Sequence, residues 1–202
     1  MKTGKYFALG LMAALAAPSM SIAATYDFSA RLDSAQASSA GASDARGQAT
    51  LSVNDVSETM TFILTVMGIS LDDLGDSFVS GPAAAFGPIH VHDGDAGQPG
   101  PVVVPFAFNA SYTAKGMNGF EVQVTDYAYS DAVAVSGSPL SFDAFLTDLQ
   151  RDGAYVNIHT DAYGGGEIRG QLSANMAPVP LPAGLPLLVT TLGGLALIRR
   201  RR

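Results

Sequence analysis

The chain has 202 residues, with 11 lysines and arginines against 18 acidic residues and a formal net charge of −7 at pH 7. All 18 acidic residues lie within residues 25–175, where only five basic residues accompany them, so this stretch carries a net charge of −13. Such a charge repels phosphate backbones and excludes a nucleic-acid partner. The chain has no cysteine, which excludes disulfide bonds, thiolate metal ligands and a cysteine nucleophile.

The N-terminus has the three parts of an export signal. Lys2 and Lys5 precede an apolar stretch at residues 7–17, and the small residues Ala23 and Ala24 follow it. This order predicts a signal peptide at residues 1–24, cleaved after Ala23 or Ala24. The alternative is an uncleaved N-terminal anchor, although the apolar stretch is short for a membrane span. In both cases we expect the protein to leave the cytoplasm.

Residues 25–175 form one domain with the pattern of short β-strands. Alternation of apolar and polar residues predicts strands at residues 26–32, 47–53, 60–66, 89–92, 120–124, 154–160 and 167–172. A continuous apolar run at residues 102–108 predicts a central strand with both faces covered, and Pro105 predicts a bulge in it.

Helical patterns are few in this domain. A short helical turn is expected at residues 69–75, and the one convincing helix at residues 141–150, where Ser141 caps an apolar stripe. Many short strands with one short helix predict an all-β fold, an antiparallel Greek-key or immunoglobulin-like β-sandwich.

Three histidines and a glutamate form the candidate metal site. His90 and His92 are two residues apart on a predicted strand, so both point to one face with their Cα atoms about 6.5 Å apart. In the last hairpin His159 and Glu167 point away from the core and become neighbours if the turn centres near Tyr163. If the two regions are adjacent, these four residues provide zinc or copper ligands. The alternative is that His90 and His92 are surface or hydrogen-bonding residues and that Glu167 pairs with Arg169 or Arg151.

Other candidate sites have simpler alternatives. Asp93 and Asp95 could chelate calcium, but the EF-hand spacing is missing and an acidic turn explains them better. Tyr127 and Tyr129 could form a sugar platform, although strand packing explains the same alternation. The sequence has no Gly-x-Ser-x-Gly motif, and no carboxylate pair is marked out for acid–base chemistry. We therefore expect a protein that is not an enzyme.

The C-terminus has a second tripartite pattern. Its first part consists of Val179, Pro180, Leu181, Pro182 and Ala183, its second is an uncharged run at residues 184–198, and its third consists of Arg199, Arg200, Arg201 and Arg202. The pattern at residues 176–202 resembles the PEP-CTERM sorting signals of Gram-negative bacteria, in their VPLPA-CTERM variant. The resemblance implies a transmembrane segment that an exosortase-type enzyme recognises in the inner membrane.

The domain itself resembles the CHRD family, named after chordin. The matching segments run in family order and lie at residues 28–32, 47–51, 89–92, 100–104, 155–160 and 166–172. The sequence departs from the family in the acidic loop at residues 93–95 and in residues 126–139, where no family motif matches. The resemblance implies a β-rich extracellular module without an established general activity.

Together these patterns predict an exported, non-enzymatic protein of the cell surface or extracellular matrix. Its expected partners are the export machinery, the sorting enzyme and, transiently, the inner membrane, and the sorting resemblance adds exopolysaccharide or other surface proteins of a biofilm matrix. The alternative function is an extracytoplasmic zinc- or copper-binding domain that uses His90, His92 and His159.

Overall fold

The computed structural model describes residues 24–37, 43–108 and 111–175 of the chain. Its strands are β1 (Thr25–Asp33), β2 (Arg46–Asn54), β3 (Thr59–Met67), β4 (Ile89–Asp93), β5 (Val102–Phe106), β6 (Tyr112–Ala114), β7 (Gly119–Ala128), β8 (Ala154–Ile158), β9 (Ile168–Gln171) and β10 (Ser173–Ala174). Its helices are a 3₁₀ turn (Leu71–Asp73), α1 (Asp76–Val79), α2 (Tyr129–Ser136) and α3 (Phe142–Gln150).

The terminal signals lie almost entirely outside the described residues. These are residues 1–23 of the predicted signal peptide and residues 176–202 of the predicted sorting segment. Within the described part of the chain, no helix combines the length and the apolar character that crossing a bilayer requires.

The described strands form one antiparallel sheet rather than the two packed sheets of the predicted sandwich. The strand order is β5-β4-β8-β9-β1-β2-β3-β7-β6, and β10 pairs with β1. The sheet curls so that distant strands meet across the core. The rings of Phe62 in β3 and Phe106 in β5 stack with their centroids 4.2 Å apart. The Tyr112 hydroxyl in β6 donates to the Phe106 carbonyl at 2.6 Å, which joins the two ends of the strand order. The all-β, antiparallel prediction is confirmed, and curling of a single sheet encloses the core.

The first three strands follow the predicted alternation. In β2 the side chains of Ala49, Leu51 and Val53 are fully buried, while Gln48 and Thr50 are exposed. A strand with one face on the core and one in solvent shows this pattern because successive side chains point to opposite faces. The strand predictions for residues 26–32, 47–53 and 60–66 are therefore confirmed to within a residue at each end.

The prediction of a central strand at residues 102–108 was wrong in its position. β5 is the first strand in the sheet order and pairs with β4 alone. Pro105 therefore lies on an edge strand, where a missing N–H is tolerated. The irregularity in β5 falls where the pairing shifts between Val104 and Val102, rather than at Pro105. β5 is nevertheless buried on both faces, because α2 packs against it.

Two of the helices were expected and two were not. The 3₁₀ turn lies inside the predicted helical turn, and α3 begins after Ser141, whose hydroxyl accepts from the Ala144 N–H at 3.2 Å. The expectation of one short helix was wrong, because α1 and α2 are also present. α2 contains the β-branched Val133 and Val135, which weaken helical propensity, so tertiary contacts decide its conformation. Tyr129, in its first turn, is 4% exposed and stacks on Phe145, so its ring is unavailable to a sugar.

Candidate metal centre

Strand pairing brings the three histidines together. β4 and β8 are antiparallel neighbours in which His90 pairs with Asn157 and His92 with Tyr155. His159 follows the last residue of β8. The ring centroids of His90 and His159 are 4.9 Å apart, those of His90 and His92 are 5.5 Å apart, and those of His92 and His159 are 6.4 Å apart. One ring nitrogen from each residue lies within 4.8 Å of the others. The prediction that the three imidazoles lie close together is confirmed. These three residues are called the histidine cluster below.

The histidine cluster is buried, although its side of the sheet faces away from the core. His90 is 2% exposed, His92 9% and His159 7%. Residues 71–87, the covering segment below, lie over this side of the sheet. Phe78 of α1 has its ring centroid 5.4 Å from that of His90 and 4.6 Å from that of His159, and Phe86 lies 6.2 Å from His90. The site predicted on the side of the sheet away from the core is therefore enclosed under aromatic side chains.

Backbone carbonyls determine the tautomers of two of the rings. Nδ1 of His92 lies 2.9 Å from the Gly100 carbonyl oxygen, and Nδ1 of His159 lies 2.8 Å from that of Gly164. A carbonyl oxygen only accepts, so both Nδ1 atoms carry the hydrogen and both Nε2 atoms keep a lone pair. The two carbonyls therefore orient both rings as outer-shell partners orient metal-binding histidines.

The lone pairs of the cluster have few partners. Nε2 of His92 and both ring nitrogens of His90 have no hydrogen-bond partner among the described residues. Nε2 of His159 accepts from the Asn157 amide at 3.1 Å. Buried polar atoms without partners are rare in native proteins, and they call for an explanation such as an ion.

Burial keeps all three rings neutral at pH 7. Burial lowers the pKa of His90 to about 3, and the neighbouring His159 and His92 rings lower it further. The Gly87 backbone acts in the opposite direction, although its position does not form a hydrogen bond with the ring. Burial lowers the pKa of His92 to about 4 against the opposing hydrogen bond to Gly100. It also lowers the pKa of His159. Metals bind the neutral imidazole, so these shifts favour ligation.

Glu167, the fourth predicted ligand, has other partners in the structure. One carboxylate oxygen accepts from the Ser43 hydroxyl at 2.6 Å and the other from the Thr160 hydroxyl at 2.7 Å. The side chain is 8% exposed. The group of potential metal ligands in the described part of the chain contains the three histidines without Glu167. The arginines proposed as its alternative partners also bind elsewhere, since Arg151 forms ion pairs with Asp148 and Asp95.

A stack of three side chains supports the cluster on one side. The His92 ring lies parallel to Tyr155, with centroids 4.8 Å apart and planes at 7°. The Arg169 guanidinium lies over the Tyr155 ring at 3.3 Å and donates to the carbonyls of Gln98 and Asp95. The alternation of β8 and β9 already placed Tyr155, Asn157 and Arg169 on the side of His159, but it did not predict their roles. For Phe78, the sequence contained no signal.

The sequence of this part of the chain matches a known domain. The family model described as "CHRD domain" matches residues 28–172, a stretch that contains all three histidines and the covering segment. The chain belongs to the CHRD domain family. Comparison with curated proteins and with solved structures found no match to this chain.

The histidine cluster of this CHRD domain can bind one transition-metal ion. Zinc and copper are both bound by imidazole nitrogens, and zinc–nitrogen bonds are about 2.0–2.1 Å long. Nitrogens within 4.8 Å of one another need only small ring movements to reach one ion. The Asn157 amide must give up its hydrogen bond to His159 in that movement, and it retains the Gly165 carbonyl as a partner.

Proposed function

We propose that this chain is an exported, non-enzymatic CHRD-domain protein that binds one zinc or copper ion through His90, His92 and His159. The observation that carries the proposal is the enclosed cluster of three neutral imidazoles, of which two are oriented by backbone carbonyls. An ion would give the unpartnered nitrogens of His90 and His92 the contacts that they lack. Membership of the CHRD family supports an extracellular location for the domain.

A binding role is favoured over a catalytic one because the ligands are enclosed. None of the three rings is more than 9% exposed, and Phe78 and Phe86 lie against them. Catalytic zinc sites keep one coordination position open to water or substrate. A site under aromatic rings instead suits storage of an ion or stabilisation of the fold.

Metal analysis of the purified protein tests the binding proposal. The full chain, purified in a mild detergent without chelators, is analysed by mass spectrometry for metal content before and after addition of zinc and copper. We expect about one equivalent in the native chain and none when all three histidines are replaced by alanine. An ion at 100 times its dissociation constant should also raise the free energy of unfolding by about 2.7 kcal/mol. Absence of metal from the native chain after addition of both ions would refute the proposal.

Two further variants separate metal loss from misfolding. His92→Gln keeps a polar side chain of similar length, so a chain that remains folded by circular dichroism but binds no metal supports direct ligation. Glu167→Gln should keep the metal, because both carboxylate oxygens are held by Ser43 and Thr160. Loss of metal in Glu167→Gln with an intact fold would instead make Glu167 the fourth ligand.

We also propose that the protein is sorted to the cell surface or the extracellular matrix. The support is the N-terminal export pattern, the VPLPA-type pattern at residues 179–202 and the net charge of −13 on residues 25–175, which favours solubility outside the cell. On this proposal the export machinery and an exosortase-type enzyme act on the chain. It crosses the inner membrane transiently, and exopolysaccharide or surface proteins of a biofilm are its final partners.

Processing of the two ends tests the sorting proposal. The mass of the protein isolated from a Gram-negative host with an exosortase-type system should show a first residue at Ala24 or Thr25 and loss of the C-terminal arginines. Replacing Arg199 to Arg202 with serines should leave the C-terminus unprocessed and reduce the surface-exposed fraction. An intact C-terminus on the native surface protein would contradict processing by such an enzyme.

A further inference from the structure

We infer that the ion bound by the histidine cluster is monovalent copper, Cu(I), in preference to zinc. The inference rests on the proposed metal-binding function and identifies the metal for that site. Three features of the structure carry it: the charge of the ligand set, the polarity of its surroundings and the space for a fourth ligand.

The ligand set carries no negative charge. An imidazole binds a metal in its neutral form, and the group of potential ligands that lie close together in the described part of the chain includes no carboxylate. Glu167 is the one buried carboxylate among the described residues, and its oxygens are held by two hydroxyls. A zinc ion bound by these three ligands alone would therefore keep its full double charge inside the protein, whereas Cu(I) would bring a single charge.

The surroundings penalise the double charge. The cost of moving an ion from water into a medium of low polarity rises with the square of its charge, so it is about fourfold larger for a divalent than for a monovalent ion of similar size. Arg169 adds a positive charge behind the Tyr155 ring that stacks on His92. Neither Phe78 nor Phe86 can neutralise a second charge. The electrostatics of the site therefore favour a monovalent ion.

The covering segment also limits the coordination number. Structural zinc sites almost always have four ligands in a tetrahedral arrangement, and zinc sites with three protein ligands add a water. Here the ring centroid of Phe78 lies 4.6 Å from that of His159 and 5.4 Å from that of His90, so an aromatic ring, which cannot ligate an ion, adjoins two of the three imidazoles. Imidazole suits copper, a closed-shell Cu(I) ion accepts three ligands without a fourth, and an aromatic face attracts a cation weakly.

Competition titrations test the preference. The metal-free full chain is titrated under anaerobic conditions with Cu(I) against bathocuproine disulfonate, and with zinc against a zinc-sensitive chromophore. We expect about one equivalent of Cu(I), bound at least roughly a thousandfold more tightly than zinc. Zinc bound as tightly as Cu(I) would overturn this inference and leave the metal-binding function intact. Failure to bind either ion would refute both.

One variant tests the physical cause of the preference. Phe78→Asp places a carboxylate next to two of the rings, which supplies both the missing negative charge and a fourth ligand. We expect the ratio of zinc to Cu(I) affinity to rise at least about tenfold. The matched control is Val135→Asp, which adds the same charge at a 40% exposed position of α2, a helix that packs on β5 and β7, and should leave the ratio unchanged. An unchanged ratio in Phe78→Asp would contradict the argument from charge and coordination.

Discussion

The polar side chains are exposed in one part of the curled sheet and buried in the other. In β1, β2 and β3 apolar residues face the core and most polar residues face solvent, as Leu51 and Thr50 illustrate. In β4, β8 and β9 nearly every residue is buried, including His90, Asn157 and Arg169. The comparison shows that alternation of apolar and polar residues identifies which face of a strand lies on the core. The alternation does not show whether the opposite face is exposed to solvent or covered by another part of the chain.

Burial of the second face explains why the site lies where it does. A polar side chain without a partner costs free energy when it leaves water, so polar residues are retained under a cover when hydrogen bonds or a ligand satisfy them. Asn157 and Arg169 find carbonyl partners, whereas His90 has none among the described residues. The covered part of the sheet (β4, β8 and β9) therefore contains ring nitrogens that are free to bind a metal. The open part (β1, β2 and β3) has polar side chains that are exposed to solvent.

Acid should have the largest effect, and it should act through the covered part. The folded-state pKa values of about 3 for His90 and about 4 for His92 lie below the usual 6.5, so the unfolded chain takes up protons first as the pH falls. Each ring then lowers the free energy of unfolding by about 1.4 kcal/mol per pH unit. Both rings together lower it by roughly 5 kcal/mol at pH 4.5, compared with its value at neutral pH. The pH dependence from the rings fades as the pH rises through 6.5 and is nearly absent about one pH unit higher, where both states are deprotonated. Arg169, the charged group that faces His92, stays protonated throughout this range.

Urea unfolding of the metal-free chain between pH 7.5 and 4.5 measures this slope. The variant with all three histidines replaced by glutamine should show a flatter dependence, which reflects the carboxylates alone. An equal slope in both proteins would mean that the histidines are solvated in solution, and it would remove the distinction between the two parts of the sheet.

Removal of the Phe62 ring, which stacks on Phe106 in the core, should have the next largest effect on stability, and it should leave metal binding nearly unchanged. Phe62→Ala removes a fully buried ring from β3 and its contact with Phe106, which holds the curled sheet together. We expect a loss of about 3–5 kcal/mol in the free energy of unfolding. Metal affinity, measured on the folded fraction, should stay within about threefold of the native value. A much larger loss of affinity would show that curling of the sheet positions the histidines directly.

Replacement of the buried arginine should cost less than loss of the stacked ring. Arg169→Met removes two hydrogen bonds to the carbonyls of Gln98 and Asp95 and the contact with Tyr155. We expect a loss of about 2–3 kcal/mol, because Arg169 is itself 3% exposed and donates both hydrogen bonds from a charged group. The matched control is Arg31→Met on the exposed face of β1, which should change stability by at most about 0.5 kcal/mol. Equal losses in both variants would contradict the difference between the two faces.

The smallest change in stability is expected for a substitution on the solvent-facing side of β3. Ile63 is 39% exposed and immediately follows the fully buried Phe62. Ile63→Ala should lower the free energy of unfolding by about 0.5 kcal/mol, roughly a sixth to a tenth of the loss expected for Phe62→Ala. Thermal or urea unfolding of the two variants in parallel measures this contrast. A loss above about 2 kcal/mol for Ile63→Ala would indicate that the open face is covered in solution.

Several features of the fold could be predicted because they are local. The alternation in β1, β2 and β3 reports contact with one core face, and the Ser141 cap reports the start of α3. Their physical causes lie within a few residues of the chain. The edge position of β5 and the helix α2 were not predicted, because an edge position and a helix with β-branched residues depend on contacts with distant strands.

The sequence by itself determined which side of each strand carries His90, His92 and His159, because side-chain direction alternates strictly along a strand. It also determined membership of the CHRD family, because the matching segments extend over residues 28–172. Only the tertiary structure decided that the three rings meet, that aromatic residues of the covering segment enclose them and that Glu167 binds Ser43 and Thr160 instead. These outcomes depend on strand order and on loop packing between residues far apart in the chain, which no local pattern encodes.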